Sequence, residues 1–463
     1  MFPKNKILVF STIVAFIIIT SNACKKTKFE DLELNNEMLS GGMQTVFDEG
    51  NGAYGHSFAN MSAQHERVHE IGDIAFEQTF VSNPAPLNGG LGPIYNNVSC
   101  ISCHIGDGRG KAPEVGQPIS SILFRISQSN RVDMHNGPLG VIGYGDQIQN
   151  RSVAGSVKEA DIEISYIEKT FQFDDGTPYS LRFPTYTLTN MYMPITSSYD
   201  LSPRVASPVF GLGLLEAVSE QDILANADEF DMNNDGISGK ANYVWNVLEN
   251  KTTLGRFGWK ANQPTVMQQS AGAINSDMGL TSFVFPQENS FGQIQYDHLD
   301  DDVEVSDSLM HAIAFYIKTL AVPARRNITD PKVARGKQLF IESNCSACHL
   351  PTLKTAVNVA FPALSNQTIR PYTDLLLHDM GAELADNRPD FLANGYEWRT
   401  PPLWGIGLTY KVNGHTNFLH DGRARNLMEA VMWHGGEAEA SKNKVKSLNK
   451  ADREALIKFL ESL

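Results

Sequence analysis

The chain has 463 residues, of which 42% are hydrophobic, and a formal net charge of -14 at pH 7. This length is enough for two or three domains, and this composition excludes a disordered or low-complexity protein. The acidic balance disfavours nucleic acid as a partner and favours basic partners, although solubility alone explains the same charge equally well.

The first 23 residues predict an export signal. Two lysines precede an apolar run at 7–19, which is too short and too close to the N-terminus to be a membrane span. Cys24 follows small or polar residues and resembles the lipidated cysteine of a lipoprotein, although Ser21 stands where such signals usually have Leu. We expect an exported protein, periplasmic or attached to the outer membrane through a lipid on Cys24; a signal without lipidation is the alternative. Residues 24–50 are expected to form a polar tether.

Two five-residue motifs carry the chemistry of the chain. After a stretch with helical apolar spacing and a Gly- and Pro-rich loop, residues 100–104 read Cys-Ile-Ser-Cys-His, and residues 345–349 read Cys-Ser-Ala-Cys-His. C-x-x-C-H is the haem-attachment pattern of c-type cytochromes, in which two thiols form thioethers to one haem and the His binds its iron. The alternatives are a disulfide or a zinc pair, but zinc would need further soft ligands, and four of the five cysteines already lie in the motifs. We therefore expect two covalently bound c-type haems, held by Cys100, Cys103, His104, Cys345, Cys348 and His349.

The segment after the first motif is predicted to be rich in β-strands. Residues 119–126 have the apolar pattern of a strand. Residues 162–173 and 180–188 also read as strands, and the Asp-Asp-Gly turn between them predicts a hairpin. We expect a β-rich insertion at about 115–200, after which helical spacing returns.

Residues 231–242 resemble the first half of a calcium loop of the EF type. Asp231, Asn233 and Asp235 alternate along the chain before a Gly, and Ile237 would contribute its carbonyl oxygen. The twelfth position is Asn242, where a bidentate Glu is expected, so the site would be weaker or differently closed. We expect a bound calcium; an Asx-rich turn without an ion is the alternative.

The last third of the chain has the order of a small cytochrome c. Residues 307–320 predict a helix, Asp330 and the Pro after it predict the start of another that leads to the second motif, and Asn449 predicts the cap of a final one. Residues 330–463 are thus expected to form a C-terminal cytochrome c domain, and residues 51–329 an N-terminal haem domain. The predicted fold is mainly α, with two cytochrome c-like haem domains and the β-rich insertion in the first.

Three segments after the second motif carry a resemblance to a known family. They are Leu-His-Asp-Met-Gly at 377–381, Trp-Arg-Thr-Pro-Pro-Leu at 398–403 and Phe-Leu-His-Asp-Gly-Arg at 418–423. They resemble segments of the bacterial di-haem cytochrome c peroxidase superfamily, and more closely its branch of di-haem c-type oxidoreductases, the thiol oxidoreductase branch.

An earlier segment resembles the part of the peroxidases that contains a Trp between the haems. Gln269 follows Trp259 by ten residues, as a Gln beside the peroxide site does in that family. Asp277 and Met278 match an acidic residue beside a Met, with Asp replacing Glu after a small deletion. The resemblance implies that Trp259, Gln269 and Asp277 are catalytic residues.

The resemblance also implies that the two haems have different tasks. The haem on His104 would react with peroxide, and the haem on His349 would receive electrons from a donor protein, either a small cytochrome c or a copper protein. The distal ligand of the second haem is not fixed by the sequence; His434 is the first candidate and Met380 the second. Two alternatives stay open: a di-haem oxidase or oxygenase of another substrate, and a non-enzymatic electron-transfer cytochrome linked to metal uptake.

Overall fold

The computed structural model of the chain describes residues 36–299 and 303–463, so the predicted signal and Cys24 lie outside the described residues. The α-helices are Ala63–Glu77 (α1), Leu212–Glu216 (α2), Glu220–Leu224 (α3), Val266–Met278 (α4), Asp307–Lys318 (α5), Pro331–Glu342 (α6), Thr409–Asn413 (α7), Leu427–Met432 (α8), Glu439–Ser447 (α9) and Lys450–Ser462 (α10). Across 36–299 and 303–463, no helix is both long and apolar enough to cross a membrane.

The strands form several small sheets of two strands each. They are Thr45–Val46 (β1), Ile94–Tyr95 (β2), Ile122–Gln128 (β3), Arg151–Ser152 (β4), Asp161–Gln172 (β5), Pro178–Thr189 (β6), Tyr199–Val205 (β7), Tyr243–Asn246 (β8), Lys251–Leu254 (β9), Val322–Pro323 (β10), Leu353–Lys354 (β11), Thr368–Ile369 (β12), Leu377–Asp379 (β13) and Glu397–Arg399 (β14).

The expected mainly α fold with cytochrome c-like domains is wrong. Helices make up only 27% of the structure and strands 19%, distributed over many small sheets. The physical reason is visible between the second motif and α7, where backbone N–H groups donate to side-chain oxygens instead of to the carbonyl oxygens of a helix. Thr373 Oγ1 accepts a hydrogen bond from the N–H of Leu375, and Asp374 Oδ1 accepts one from the N–H of Leu376. Such local bonds compete with helix formation, and an apolar pattern alone does not reveal them.

The predicted hairpin is confirmed. β5 and β6 pair antiparallel from Asp161 opposite Thr189 to Gln172 opposite Pro178, and Gly176 takes a positive φ of 81° in the turn. The hairpin tip reaches the C-terminal part of the chain. Phe173 and Leu181 belong to the same hydrophobic cluster as Trp433.

Two pairs of helices meet at glycines, and the first helix of each pair precedes a motif. In α1, a Cβ on Gly72 would lie 2.1 Å from the carbonyl oxygen of Ala312 in α5. In α6, a Cβ on Gly336 would lie 2.0 Å from the carbonyl oxygen of Ala455 in α10. Each glycine therefore allows a close backbone approach that positions the helix preceding a haem-attachment motif.

The described part of the predicted tether differs from the expectation, because it packs onto the folded body. β1 pairs in parallel with β10, and Ser40 is buried. Glu37 forms an ion pair with Arg325. The polar composition suggested a solvated linker, but Ser40 is buried and Glu37 is paired with Arg325 in the folded body.

The division of the chain into two haem domains near residue 330 stays a prediction. The largest hydrophobic cluster contains residues from both sides of that position, among them Tyr54 and Trp404. The hydroxyl of Tyr54 donates to the carbonyl oxygen of Gly405 at 2.7 Å. The two parts of the chain therefore share a packed core around the site described next.

Candidate functional site

One large cavity is lined by residues of both C-x-x-C-H motifs. Its wall also contains every residue proposed as catalytic and both candidate distal ligands. The relevant lining residues are Cys100, Cys103, His104, Trp259, Gln269, Asp277, Cys345, Cys348, His349, Met380 and His434. The fold thus brings together side chains that lie far apart in the sequence.

The two motif histidines have the geometry of metal ligands. Nδ1 of His104 donates to the carbonyl oxygen of Ser207 at 2.7 Å, and Nδ1 of His349 donates to that of Tyr372 at 3.0 Å. A proton fixed on Nδ1 leaves Nε2 with a free lone pair, as in histidines that bind metals. Burial lowers the pKa of His104, and it lowers the pKa of His349 to about 4. Both rings are therefore neutral near pH 7.

The four motif cysteines are free thiols, which removes the disulfide alternative for this structure. Burial raises the pKa of Cys100, Cys103 and Cys345 to about 12, so these thiols stay protonated near pH 7. Covalent haem attachment requires free thiols, a neutral imidazole and a cavity beside them. The residues present fit a haem beside each motif.

His434 faces the second motif histidine. Its Nδ1 donates to the carbonyl oxygen of Ala430 at 2.7 Å, one turn earlier in the chain, which again leaves Nε2 free. The ring centroids of His349 and His434 are 6.5 Å apart. Met380, the other candidate, lines the same cavity.

Helix α4 presents a polar face to the cavity. Gln269, Ala273 and Asp277 follow one another at four-residue spacing, so they lie on one face of the helix, and all three line the cavity. Thr265 caps this helix by accepting a hydrogen bond from the N–H of Gln268 at 3.1 Å. The predicted pair Gln269 and Asp277 is thus placed by one rigid element.

Asp277 is an acid whose proton exchanges near neutrality. Gln147 donates to its Oδ1 at 2.8 Å, and Arg125 lies near enough to favour the carboxylate. Burial is the stronger influence and raises the pKa of Asp277 to about 6. The side chain keeps some exposed surface because it faces the cavity.

Trp259 is fixed by bonds to distant segments. Its side chain is 7% exposed, and its Nε1 donates to the carbonyl oxygen of Val205 at 2.8 Å. The carbonyl oxygen of Trp259 accepts from the N–H of Arg399, also at 2.8 Å. Next to it, the buried ammonium of Lys260 donates to Asp386 at 2.7 Å. The indole is therefore held rigidly in the cavity wall.

The calcium-like loop is arranged differently from the expected twelve-residue site. Its side-chain oxygens accept hydrogen bonds from the loop itself: the N–H of Asp235 donates to Asp231 and to Asn233, each at 2.9 Å. Asn242 does not close the loop, because it is buried and donates to the carbonyl oxygens of Lys260 and Asp390. Ile237 lines the same cavity as the two motifs, so the loop borders the candidate site.

The sequence favoured a structural or surface role for His378 and did not propose it as a site residue; the structure buries it in the wall of the cavity. Its Nε2 and Nδ1 hydrogen-bond Asp374 at 2.8 Å and Glu437 at 2.7 Å. Burial disfavours the charged ring, but these bonds outweigh it and hold the pKa of His378 well above its ordinary value. The segment around His378 carried the family resemblance, yet the sequence contained no sign of its two carboxylate partners.

His378 also lies close to two other possible metal ligands, Cys348 and Asp374. The ligand atoms of the three residues lie within 4.8 Å of one another, and the described ranges contain no other group of three such residues. Cys348 is part of the second motif and His378 is already bonded to two carboxylates. We therefore assign this group to the haem site rather than to a separate metal.

Comparison with known families agrees with this geometry, which is that of an oxidoreductase with two haem sites. The chain belongs to the family described as "Di-haem oxidoreductase, putative peroxidase", whose model matches residues 35–463. The resemblance noted in the sequence is thereby confirmed. Searches of curated proteins and of solved structures gave no match.

Proposed function

We propose that the protein is an exported, peroxidase-like oxidoreductase with two covalent c-type haems, fed by an external electron donor. The observation that carries this proposal is the single cavity lined by both motifs together with Trp259, Gln269 and Asp277. When bound, haem supplies an iron that takes part in binding peroxide and in exchanging electrons. All other roles belong to residues of the chain.

On the side of the first motif, Asp277 would act as the acid and base. As a carboxylate it can accept a proton from one oxygen of peroxide and return that proton to the other oxygen. A pKa of about 6 suits this exchange near neutral pH. Gln269 lies two turns away on the same helix face, where its amide can orient the peroxide by hydrogen bonding.

On the side of the second motif, His349 and His434 would hold the iron of one haem. Two metal–nitrogen bonds of roughly 2 Å each, plus about 1 Å from nitrogen to centroid in each ring, add up to about 6 Å between the centroids. The observed 6.5 Å between the centroids fits His434 as a second ligand of that iron, with Met380 as the other candidate in the same cavity. A second haem with both positions filled is suited to electron transfer rather than to binding peroxide.

Trp259 would lie on the electron route between the two haems. Its rigid position in the wall of the shared cavity supports this role. The donor would be a small cytochrome c or a copper protein with a basic surface, because the chain is acidic. The same proposal includes a calcium bound by Asp231, Asn233, Asp235 and the carbonyl oxygen of Ile237.

The first test measures haem content and turnover. Protein matured in a host that assembles c-type cytochromes should retain two haems per chain after acid–acetone extraction, and should reduce hydrogen peroxide with a reduced donor. Fewer than two retained haems would contradict covalent attachment at both motifs. If peroxide does not react and both irons are low-spin in every redox state, the electron-carrier alternative replaces the enzyme.

The proposed location is periplasmic or at the outer membrane, through a lipid on Cys24. The Cys24→Ser variant should then move from the membrane fraction to the soluble fraction. Membrane association that persists in this variant would contradict the lipid anchor.

A further inference from the structure

Two buried arginines on the cavity wall have only neutral partners. Arg109 is 8% exposed and Arg399 is 7% exposed. Arg109 Nη2 donates to the carbonyl oxygen of Leu419 at 2.7 Å, and its Nε has no partner in the described part of the chain. Arg399 donates from Nε to the carbonyl oxygen of Gly258 at 2.8 Å and from Nη1 to that of Thr400 at 3.1 Å.

Other buried arginines nearby have carboxylate partners. Arg204 and Arg388 both bind Asp390, and Arg423 binds Asp421. Within 36–299 and 303–463, no carboxylate oxygen lies within 4.0 Å of Arg109 or Arg399. Asp421 acts on Arg109 and Asp374 on Arg399 from beyond 4.0 Å, but burial is the stronger influence and lowers the pKa of both arginines. A buried charge without a directly paired carboxylate is unfavourable, so these two positions indicate an anion supplied from outside the chain.

Arg326 is a useful contrast, because two of its partners lie at the end of a helix. Its Nη2 donates to Glu461 and Leu463 at the end of α10, at 2.7 and 2.9 Å. The negative end of a helix accounts for a cation there. Arg109 and Arg399 have no such helix end as a partner; they face the cavity instead.

Both arginines lie next to Trp259. The Cζ atom of Arg109 lies 5.6 Å from the centroid of the indole ring, while the backbone N–H of Arg399 donates to the carbonyl oxygen of Trp259. Each arginine is also linked to a different motif. Arg109 is in the loop that begins at His104 of the first motif. Arg399 lies opposite Leu377 in the β13–β14 pair, and the residue after Leu377, His378, contacts Cys348 of the second motif.

We propose that Arg109 binds a carboxylate of the first haem and Arg399 a carboxylate of the second, both next to Trp259. Haem carries propionate carboxylates, and the guanidinium group matches a carboxylate with paired N–H donors. Nη1 of Arg109 and Nη2 of Arg399 donate no hydrogen bond within the described residues, so both stay available for this bond. Each arginine would thereby hold one haem edge toward the indole and place a positive charge beside that haem.

The charge leads to a measurable consequence. A nearby cation stabilises the reduced, less positive iron, and it keeps the bound carboxylate ionised. Removing one arginine should therefore lower the reduction potential of one haem and make that potential depend more steeply on pH. Because burial lowers the pKa of both arginines only to about 10, both remain charged at neutral pH.

The experiment uses the holoprotein and records the reduction potential of each haem by spectroelectrochemistry between about pH 5 and about pH 9. Arg109→Gln should lower the potential of the first haem only, and Arg399→Gln that of the second only. Arg109→Lys and Arg399→Lys keep the charge and should give smaller shifts; they also serve if the Gln variants do not fold. The matched control is Arg67→Gln, which removes an exposed arginine from α1 and should leave both potentials unchanged.

Two results would overturn the proposal. One is an unchanged pair of potentials in folded Gln variants that carry both haems. The other is a reduction potential of the wild-type protein that changes with the concentration of added phosphate at constant ionic strength, because the arginines would then hold a free anion. This inference depends on the proposed function only for the two haems. A chain without haem would defeat that function, whereas two haems with unaltered potentials would defeat this inference alone.

Discussion

The imidazole rings of His349 and His434 face each other across the cavity with centroids 6.5 Å apart. Both rings donate from Nδ1 to backbone carbonyl oxygens, so both Nε2 atoms keep free lone pairs. This arrangement is pre-organised for two ligands of one metal, since each backbone bond fixes both the tautomer and the ring orientation.

The pair predicts a specific spectral change in His434→Ala. The second haem should stay attached, because its thioethers and His349 are unchanged, but its iron should turn from low-spin to high-spin. Absorbance and electron paramagnetic resonance spectra would show this. The control His311→Ala removes an exposed ring from α5 and should leave the spectra unchanged. If Met380→Leu gives the spin change and His434→Ala does not, Met380 is the ligand.

Asp277 predicts a dependence of peroxide turnover on pH. Burial raises its pKa to about 6, and the carboxylate form is the proton acceptor, so turnover should rise as pH increases through about 6. Asp277→Asn should lower turnover by about a hundredfold to ten-thousandfold and remove this rise. Steady-state rates with reduced donor measure both effects. Glu163→Gln, an exposed change in β5, is the control; a wild-type rate without a step near pH 6 would contradict the role of Asp277.

Local chemistry could be predicted from the sequence, whereas long-range contacts could not. The motifs, the hairpin at β5 and β6, and the caps at Asp330 and Asn449 depend on residues close together in the chain. The helical content was overestimated because apolar spacing does not show where side chains replace helical hydrogen bonds.

The same limit applies within the site. Asn242 had the right spacing for the calcium loop, but its amide binds segments that the sequence places far away. The carboxylates around His378, and the lack of one within 4.0 Å of Arg109 among the described residues, are likewise properties of the packed chain. Spacing identifies candidates, and the environment of each one decides between roles.

Trp259→Phe should slow electron transfer between the haems without changing their attachment. Phe is harder to oxidise than Trp and loses the Nε1 bond to Val205. Stopped-flow absorbance after mixing half-reduced protein with peroxide measures this step. Trp398→Phe is a matched control, because Trp398 also lines the cavity and its Nε1 donates to the carbonyl oxygen of Leu384 at 2.9 Å. Equal slowing in both variants would mean that Trp259 holds no special place on the route.

Calcium in the loop predicts one ion per chain by elemental analysis of protein purified without chelator. Asp231→Ala combined with Asp235→Ala should remove the ion, since oxygen ligands at alternate positions would be lost. Asn242→Ala should retain it, because Asn242 binds backbone carbonyl oxygens rather than the loop. Native protein without stoichiometric calcium would leave the loop as an Asx-rich turn.

Gly336 and Gly272 predict opposite changes in stability when each is replaced by Ala. Both lie inside helices, where Ala is intrinsically favoured over Gly by roughly 0.5–1 kcal/mol. A Cβ at Gly336 would lie 2.0 Å from the carbonyl oxygen of Ala455, and backbone cannot yield cheaply. A Cβ at Gly272 would make only ordinary van der Waals contacts, with Phe285 at 3.6 Å and Gln263 at 3.9 Å. Gly336→Ala should therefore lower the free energy of unfolding by about 1–3 kcal/mol, and Gly272→Ala should leave it unchanged or raise it slightly. Urea denaturation of the holoprotein followed by circular dichroism measures both. A Gly336→Ala variant as stable as Gly272→Ala would show that α6 and α10 do not meet at this glycine.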